Sequence, residues 1–174
     1  TDYVPCLLTT TEERIDLLKR IGIDHVELLS FDHKMARMDA LTFMREILRD
    51  TLNVSTLVMG YDHRFGHGGG EHEDYIRWGE ECGIRVIIAK KFEQHYASSS
   101  EIRRQLTEGN VAEAAKLLCH PYVLTGTVES GHQVGRTLGF PTANLRISQE
   151  KLIPATGVYA VMTELGAGIM NIGR

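Results

Sequence analysis

In the first two thirds of the chain, apolar residues alternate between a three-to-four spacing and short unbroken runs, which predicts helices alternating with strands. Thr9-Thr10-Thr11-Glu12-Glu13 supplies hydroxyl caps and a glutamate three residues on; Ile15, Leu18 and Ile21 follow, and Gly22 marks the stop of a first helix. His25 to Phe31 (HVELLSF) reads as a strand, 39–50 as a helix with Phe43 and Ile47 one turn apart, and Ser55 to Gly60 as a strand. Next come a helix over 71–82 closed by Gly83 and a strand from Ile84 to Ala89. Strand and helix in alternation predict a parallel sheet with crossover helices. Ser98-Ser99-Ser100-Glu101 opens a further helix, and Val111 to Leu118 forms another after the Glu108-Gly109-Asn110 break.

The pattern changes near Pro121. Beyond it, short β-branched runs (Tyr122 to Glu129, Ala143 to Ile147, Val158 to Leu165, Gly168 to Ile172) are separated by glycine-rich links and by Pro141 and Pro154, as in an antiparallel sheet or small barrel. The fold class expected is therefore α/β plus all-β, divided as 1–120 and 121–174. Four strands leave open edges and little area to bury, so further chain is expected after Arg174 to complete the second module. The absence of an initial Met suggests either a processed or cut chain or a further segment before Thr1.

Composition narrows the function classes. With 43% hydrophobic and 24% charged residues the chain matches an ordinary globular protein rather than a disordered or fibrous one. A formal charge of −4 offers no broad positive field for nucleic acid. Cys6, Cys82 and Cys119 are odd in number and far apart, with no C-x-x-C pair, which fits a reducing cytoplasm better than a disulfide or zinc framework. No apolar run approaches a membrane span.

Three segments carry candidate chemistry. Gly60-Tyr61-Asp62-His63-Arg64-Phe65-Gly66 lies at the carboxyl end of an apolar strand, where ligands sit in open α/β sheets. Asp62 can accept hydrogen bonds and Arg64 can hold a phosphate through its planar fork; the alternative is a solvated turn with a local ion pair. Ser98-Ser99-Ser100-Glu101-Ile102-Arg103 puts hydroxyls and a cation at a helix start, a phosphate cradle or a simple N-cap. Gly131, Gly135 and Gly139 recur at every fourth position of a loop that can converge N–H groups on an anion, although the Walker A spacing fails. Thr142 and Asn144 follow with hard oxygens on one side of a strand, suited to Mg²⁺ shared with nucleotide phosphates or to a plain polar strand face. His63 and His67 are four apart, but the surrounding glycines argue against the helix that would bring them to zinc. No nucleophile elbow occurs.

Taken in order, these segments resemble the bacterial bifunctional riboflavin kinase/FMN adenylyltransferase (FAD synthetase) family. Leu8 to Arg14 is similar to its L-T-T-x-E-E-K helix start, Gly60 to Gly66 to G-x-D-x-R-F-G, Ser98 to Arg103 to S-S-T-x-I-R, and Gly135 to Asn144 to G-R-x-L-G-F-P-T-A-N. Gly157-Val158-Tyr159-Ala160 and Asn171-Ile172-Gly173 fit the barrel strands that follow. The resemblance implies a Rossmann-like nucleotidylyltransferase domain that joins AMP to FMN and an antiparallel barrel that phosphorylates riboflavin, both with ATP and Mg²⁺.

By that resemblance Ser98, Ser99, Ser100 and Arg103 would contact ATP in the adenylylation site, and Gly60, Asp62, Arg64 and Phe65 would lie against the flavin. Gly131, Gly135 and Gly139 would flank the kinase nucleotide, with Thr142 and Asn144 on Mg²⁺ and phosphate oxygens. The partners implied are small molecules only: ATP, riboflavin, FMN and FAD. The family's H-x-G-H motif and its general-base glutamate have no counterpart in these residues, so the catalytic groups are unassigned. These residues by themselves are expected to be nearly inactive. The link from Thr163 to Gly168 looks trimmed. Oligomeric state is open. The rival readings are a different nucleotidylyltransferase and a non-catalytic flavin or nucleotide sensor.

Overall fold

The structure, a computed structural model, describes residues 6–91, 97–129 and 142–173. It divides into two compact units, Glu27–Gln94 and the combination of Thr1–Val26 with His95–Arg174.

The unit Glu27–Gln94 is α/β. It contains α2 (His33–Arg37), α3 (Ala40–Thr42) running into a π-helix over Phe43–Thr51, β1 (Thr56–Met59), α4 (His72–Cys82) and β2 (Arg85–Ile88). Strands β1 and β2 pair in parallel, Thr56 opposite Arg85 and Met59 opposite Ile88, with α4 as the crossover, as the alternating pattern predicts. Helix α4 starts where the Asp74 carboxylate accepts from the Glu71 N–H at 3.0 Å and ends at Gly83 (φ +70°), the left-handed stop that glycine adopts freely. Its Gly79 lies so close to β2 that a Cβ would meet Val86 Cγ2 at 2.5 Å and the Ile84 carbonyl oxygen at 2.6 Å. That approach lets Met44, Leu48, Met59, Tyr75, Cys82 and Ile84 close into one core. The inner stripe of this segment lies one residue from the pair picked out by sequence: Met44 and Leu48, in line with Ala40, are buried, while Phe43 and Ile47 are half-buried.

The stretch His25 to Phe31 is a correction to the sequence reading. It forms no strand, and Leu28, Leu29 and Phe31 are exposed. A strand exists only with a paired edge, and among the described residues β1 and β2 pair only with each other.

The second unit joins α1 (Thr11–Arg20), α5 (Ser99–Thr107) and α6 (Val111–Leu118) to four strands. Thr10 caps α1 through the reciprocal pair expected from its sequence: Thr10 Oγ1 accepts from the Glu13 N–H at 3.3 Å, and Glu13 Oε2 accepts from the Thr10 N–H at 3.0 Å. Gly22 follows at φ +92°, and Ile21, expected to face inward, is exposed. Helices α5 and α6 pack on Ile102, Leu106 and Ala114, with Leu8, Tyr122 and Leu152 closing over them. β3 (Gly126–Glu129) pairs antiparallel with β4 (Asn144–Ile147), and β5 (Gly157–Thr163) with β6 (Gly166–Ile172). The Thr163-to-Gly168 link is short. Pairing runs up to Thr163 opposite Gly166, leaving only Glu164-Leu165 as a tight turn held by the Thr163 hydroxyl donating to the Gly166 carbonyl at 3.0 Å.

Candidate functional site

At the carboxyl end of β1 the chain turns at once, with the His63 N–H donating to the Gly60 carbonyl at 3.1 Å. Tyr75 reaches up from α4 to Phe65, ten residues before it in the chain. Its hydroxyl accepts from the Phe65 N–H at 3.0 Å and donates to the Phe65 carbonyl at 2.7 Å, so one buried phenol satisfies both backbone groups of the turn. The Phe65 ring packs between Phe43 and Tyr75, at centroid distances of 5.4 and 4.8 Å. Gly66 (φ +83°) passes so close to α3 that a Cβ would meet the Ala40 nitrogen at 2.3 Å. Arg64 is occupied: its Nη1 donates to the His63 carbonyl at 2.8 Å and meets His72 Nε2 at 2.7 Å, and its Nη2 lies 3.6 Å from Glu71. Of the four residues singled out here, Asp62 alone presents an exposed side chain with no partner among the described residues. Phe65 and Arg64 build the turn.

The start of α5 is arranged differently. Ser98 is the N-cap, its Oγ accepting from the Glu101 N–H at 3.1 Å. Ser99 and Ser100 are exposed, and among the described residues nothing engages their hydroxyls. Two adjacent arginines follow with opposite fates. Arg104 is spent on Glu101 (2.6 Å) and Glu108 (3.0 Å). That hydrogen bond, with one from Gln105, holds the Glu101 carboxyl down at about 2, so the acidic residue of the first turn is charged and already countered. Arg103 donates only its Nε, to the Cys6 carbonyl at 3.1 Å, and its Nη fork has no partner among the described residues. Ser99 and Ser100 precede Arg103 by four and three residues and so share its helix face.

Gly131, Gly135 and Gly139 lie outside the described residues. Thr142 and Asn144 are exposed, and among the described residues neither side chain is hydrogen-bonded. Asn144 stands opposite Glu129 on the polar face of the β3–β4 pair, where Arg146 bridges to Glu129 at 3.0 Å. Helix α5 and β4 do not pack on each other, so the structure does not bring these two phosphate candidates together. Among the described residues no group of three or more His, Cys, Asp or Glu could hold a metal ion. All three cysteines are free thiols. A cavity of about 550 Å³ is lined by His33, Lys34, Arg37, Met38, Thr42 and Glu46, none of them singled out from sequence.

Sequence reasoning missed the most buried ion pair among the described residues. Lys151 Nζ donates to Glu13 Oε2 at 2.6 Å, with the two side chains 0% and 2% exposed. It also donates to the Leu8 carbonyl at 2.6 Å and sits 4.2 Å from the centre of the Tyr122 ring. Glu13 Oε1 accepts from the Thr125 N–H at 2.9 Å. Burial works to raise the Glu13 carboxyl, but the hydrogen bond from Lys151 and those from the Thr10 and Thr125 N–H groups prevail and hold it below the usual glutamate range. Burial pulls the Lys151 ammonium below the ordinary lysine value, with the carboxylate opposing, and burial together with the Glu13 charge pushes the Tyr122 phenol up. Glu13 was visible as a capping-box residue, which hid its second role; nothing local marks Lys151.

Comparison with known proteins finds two family models along the chain. A family model of FAD synthetase matches residues 1–102, and one of riboflavin kinase matches 118–174. The bifunctional riboflavin kinase/FMN adenylyltransferase of Escherichia coli is 36% identical, aligning 99% of this chain with 58% of its own length. That of Listeria monocytogenes is 34% identical over 95% of this chain and 54% of its own. The chain thus spans somewhat over half the length of these curated relatives. A crystal structure described as a macrolide-efflux protein from Streptococcus pneumoniae superposes with a TM-score of 0.73 at 30% identity, covering 97% of this chain and 62% of that one. In the present chain no helix among the described residues is long and apolar enough to cross a membrane.

Proposed function

Because the chain belongs to the FAD synthetase family, we propose that it carries out FAD biosynthesis in two steps: ATP-dependent phosphorylation of riboflavin to FMN, and transfer of AMP from ATP to FMN. We assign adenylylation to 1–120, as a Rossmann-like domain, and riboflavin phosphorylation to 121–174, as part of an antiparallel barrel. The parallel β1–α4–β2 unit and the two antiparallel strand pairs support that assignment. The observation that carries the reading is the start of α5, where two serines and the Arg103 fork, without hydrogen-bond partners among the described residues, stand on one helix face.

In the phosphorylation a ribityl hydroxyl attacks the γ-phosphorus of ATP and ADP leaves; in the adenylylation an FMN phosphate oxygen attacks the α-phosphorus of a second ATP and pyrophosphate leaves. Displacement at phosphorus needs positioning and charge neutralisation rather than a protein nucleophile, and the described residues suit that need. The α5 N–H groups, the Ser99 and Ser100 hydroxyls and the Arg103 fork bind phosphate oxygens, and Ser98 keeps the helix start in shape. In the other unit Asp62 accepts from the flavin, while Gly60, Arg64 and Phe65 hold the turn that presents it. Gly131, Gly135 and Gly139 flank the kinase nucleotide. The unengaged oxygens of Thr142 and Asn144 fit a hard cation, which takes its remaining ligands from phosphates and water. Mg²⁺ bound there would neutralise charge on the transferred phosphoryl group.

The test is turnover by the full-length protein with ATP and Mg²⁺, followed by separation of the flavins. FMN is expected to yield FAD and pyrophosphate, and riboflavin to yield FMN and ADP. Binding of ATP and flavin without either product would identify a sensor, and adenylylation of another phosphate acceptor with FMN untouched would identify a different nucleotidylyltransferase.

A further inference from the structure

Among the described residues the Arg103 guanidinium makes one hydrogen bond, from its Nε to the Cys6 carbonyl, which aims its open Nη fork. What fixes that carbonyl is residues 150–152, in the segment matching riboflavin kinase. The Leu7 N–H donates to the Glu150 carbonyl at 2.7 Å, the Leu152 N–H donates to the Leu7 carbonyl at 2.9 Å, and Lys151 Nζ holds the Leu8 carbonyl. The lysine is itself clamped by Glu13, whose other oxygen takes the Thr125 N–H, and by the Tyr122 ring; the Tyr122 hydroxyl donates to the Leu152 carbonyl at 2.7 Å. All these residues lie in one compact unit. A guanidinium tethered at Nε keeps its two terminal nitrogens in a fixed plane, and small errors in such a plane weaken bidentate phosphate contacts.

We propose that Lys151, clamped by Glu13, is a positioning residue for adenylylation: a side chain of the kinase segment sets the backbone that aims Arg103 at ATP. The proposal rests on the reading of the α5 start given above. It makes the adenylylation site dependent on the kinase segment through covalent neighbours of Cys6, with no ligand passing between them.

The test uses Lys151→Met, Arg103→Ala and their combination in the full-length protein, with the KM for ATP measured separately in FMN adenylylation and riboflavin phosphorylation. Lys151→Met is expected to raise the adenylylation KM about tenfold with kcat within about twofold, which corresponds to one decade of binding. The kinase KM should stay within about twofold, and Lys151→Met should add nothing once Arg103 is Ala. If Lys151→Met does not fold, Glu13→Leu/Lys151→Met removes both charges and must show the same rise. An unchanged adenylylation KM, additive effects of the two substitutions, or a parallel fall of both activities overturns the positioning role. An Arg103→Ala protein with wild-type KM for ATP overturns the reading of the α5 start, and the proposal with it.

Discussion

The two units are held together by different physics. Glu27–Gln94 closes on a dry core: Met44, Met59, Tyr75 and Ile84 are fully or almost fully buried, and a run of rings from Phe43 through Phe65 and Tyr75 to Trp78 extends it to the turn after β1. The other unit has a small apolar core at Ile102, Leu106 and Ala114 and beside it a buried ion pair whose partners are 138 residues apart. Packing of the first kind degrades gradually when volumes change. A buried charge pair is intolerant of losing one partner, because the survivor is left uncompensated. The difference predicts which unit is fragile, and to what.

The sharpest contrast comes from Lys151→Met, which strands the Glu13 carboxylate and should cost about 3–5 kcal/mol in denaturant unfolding. Glu13→Leu/Lys151→Met should recover most of that loss, because two apolar side chains need no compensation. A loss as large in the double variant as in the single one would show that the volume of the site, not its charge, matters.

In the other unit, Tyr75→Phe keeps the ring but leaves the Phe65 N–H and carbonyl without their partner. The cost should be about 1–3 kcal/mol, with faster amide exchange at Phe65. Unchanged exchange would mean that the ring contacts alone hold the turn.

Acid should separate the units as well. The Glu13 carboxyl titrates below its unfolded value of 4.5 in the folded protein. Its contribution is therefore complete above that pH and disappears as the pH falls through the folded value. The melting-temperature gap between wild type and Glu13→Gln should accordingly be constant near neutrality and close on acidification. A gap that widens below pH 4.5 would contradict the assignment. The smallest effect expected is Ser98→Ala, about 1 kcal/mol for a lost N-cap, visible as faster amide exchange in the first turn of α5.

What the sequence made legible follows the same line between local and distant causes. Thr10 with Glu13, Ser98 before α5, and Gly83 after α4 announced their helix ends because the groups that satisfy a helix terminus lie within four residues of it. The paired strands on both sides of Pro121 were legible from β-branched runs between turn residues. His25 to Phe31 carries the same composition and is not a strand, since pairing depends on an edge elsewhere that composition does not report. At the candidate site, the serines and Arg103 were legible as a helix-start motif. That Arg104 would be neutralised while Arg103 kept a free fork follows from Glu101 and Glu108 at helical spacing. The Glu13–Lys151 contact had no such local trace, and neither did the capture of Phe65 by Tyr75 across ten residues.

The neighbouring arginines give the most direct test of the central claim, that the start of α5 grips the phosphates of ATP through Arg103. The measurement is the KM for ATP in FMN adenylylation, followed by pyrophosphate release, for Arg103→Ala and Arg104→Ala side by side. The account predicts a rise of about tenfold or more for Arg103→Ala, the loss of one charge-assisted contact, and a change within about twofold for Arg104→Ala. Equal effects, or a larger effect at Arg104, would contradict it.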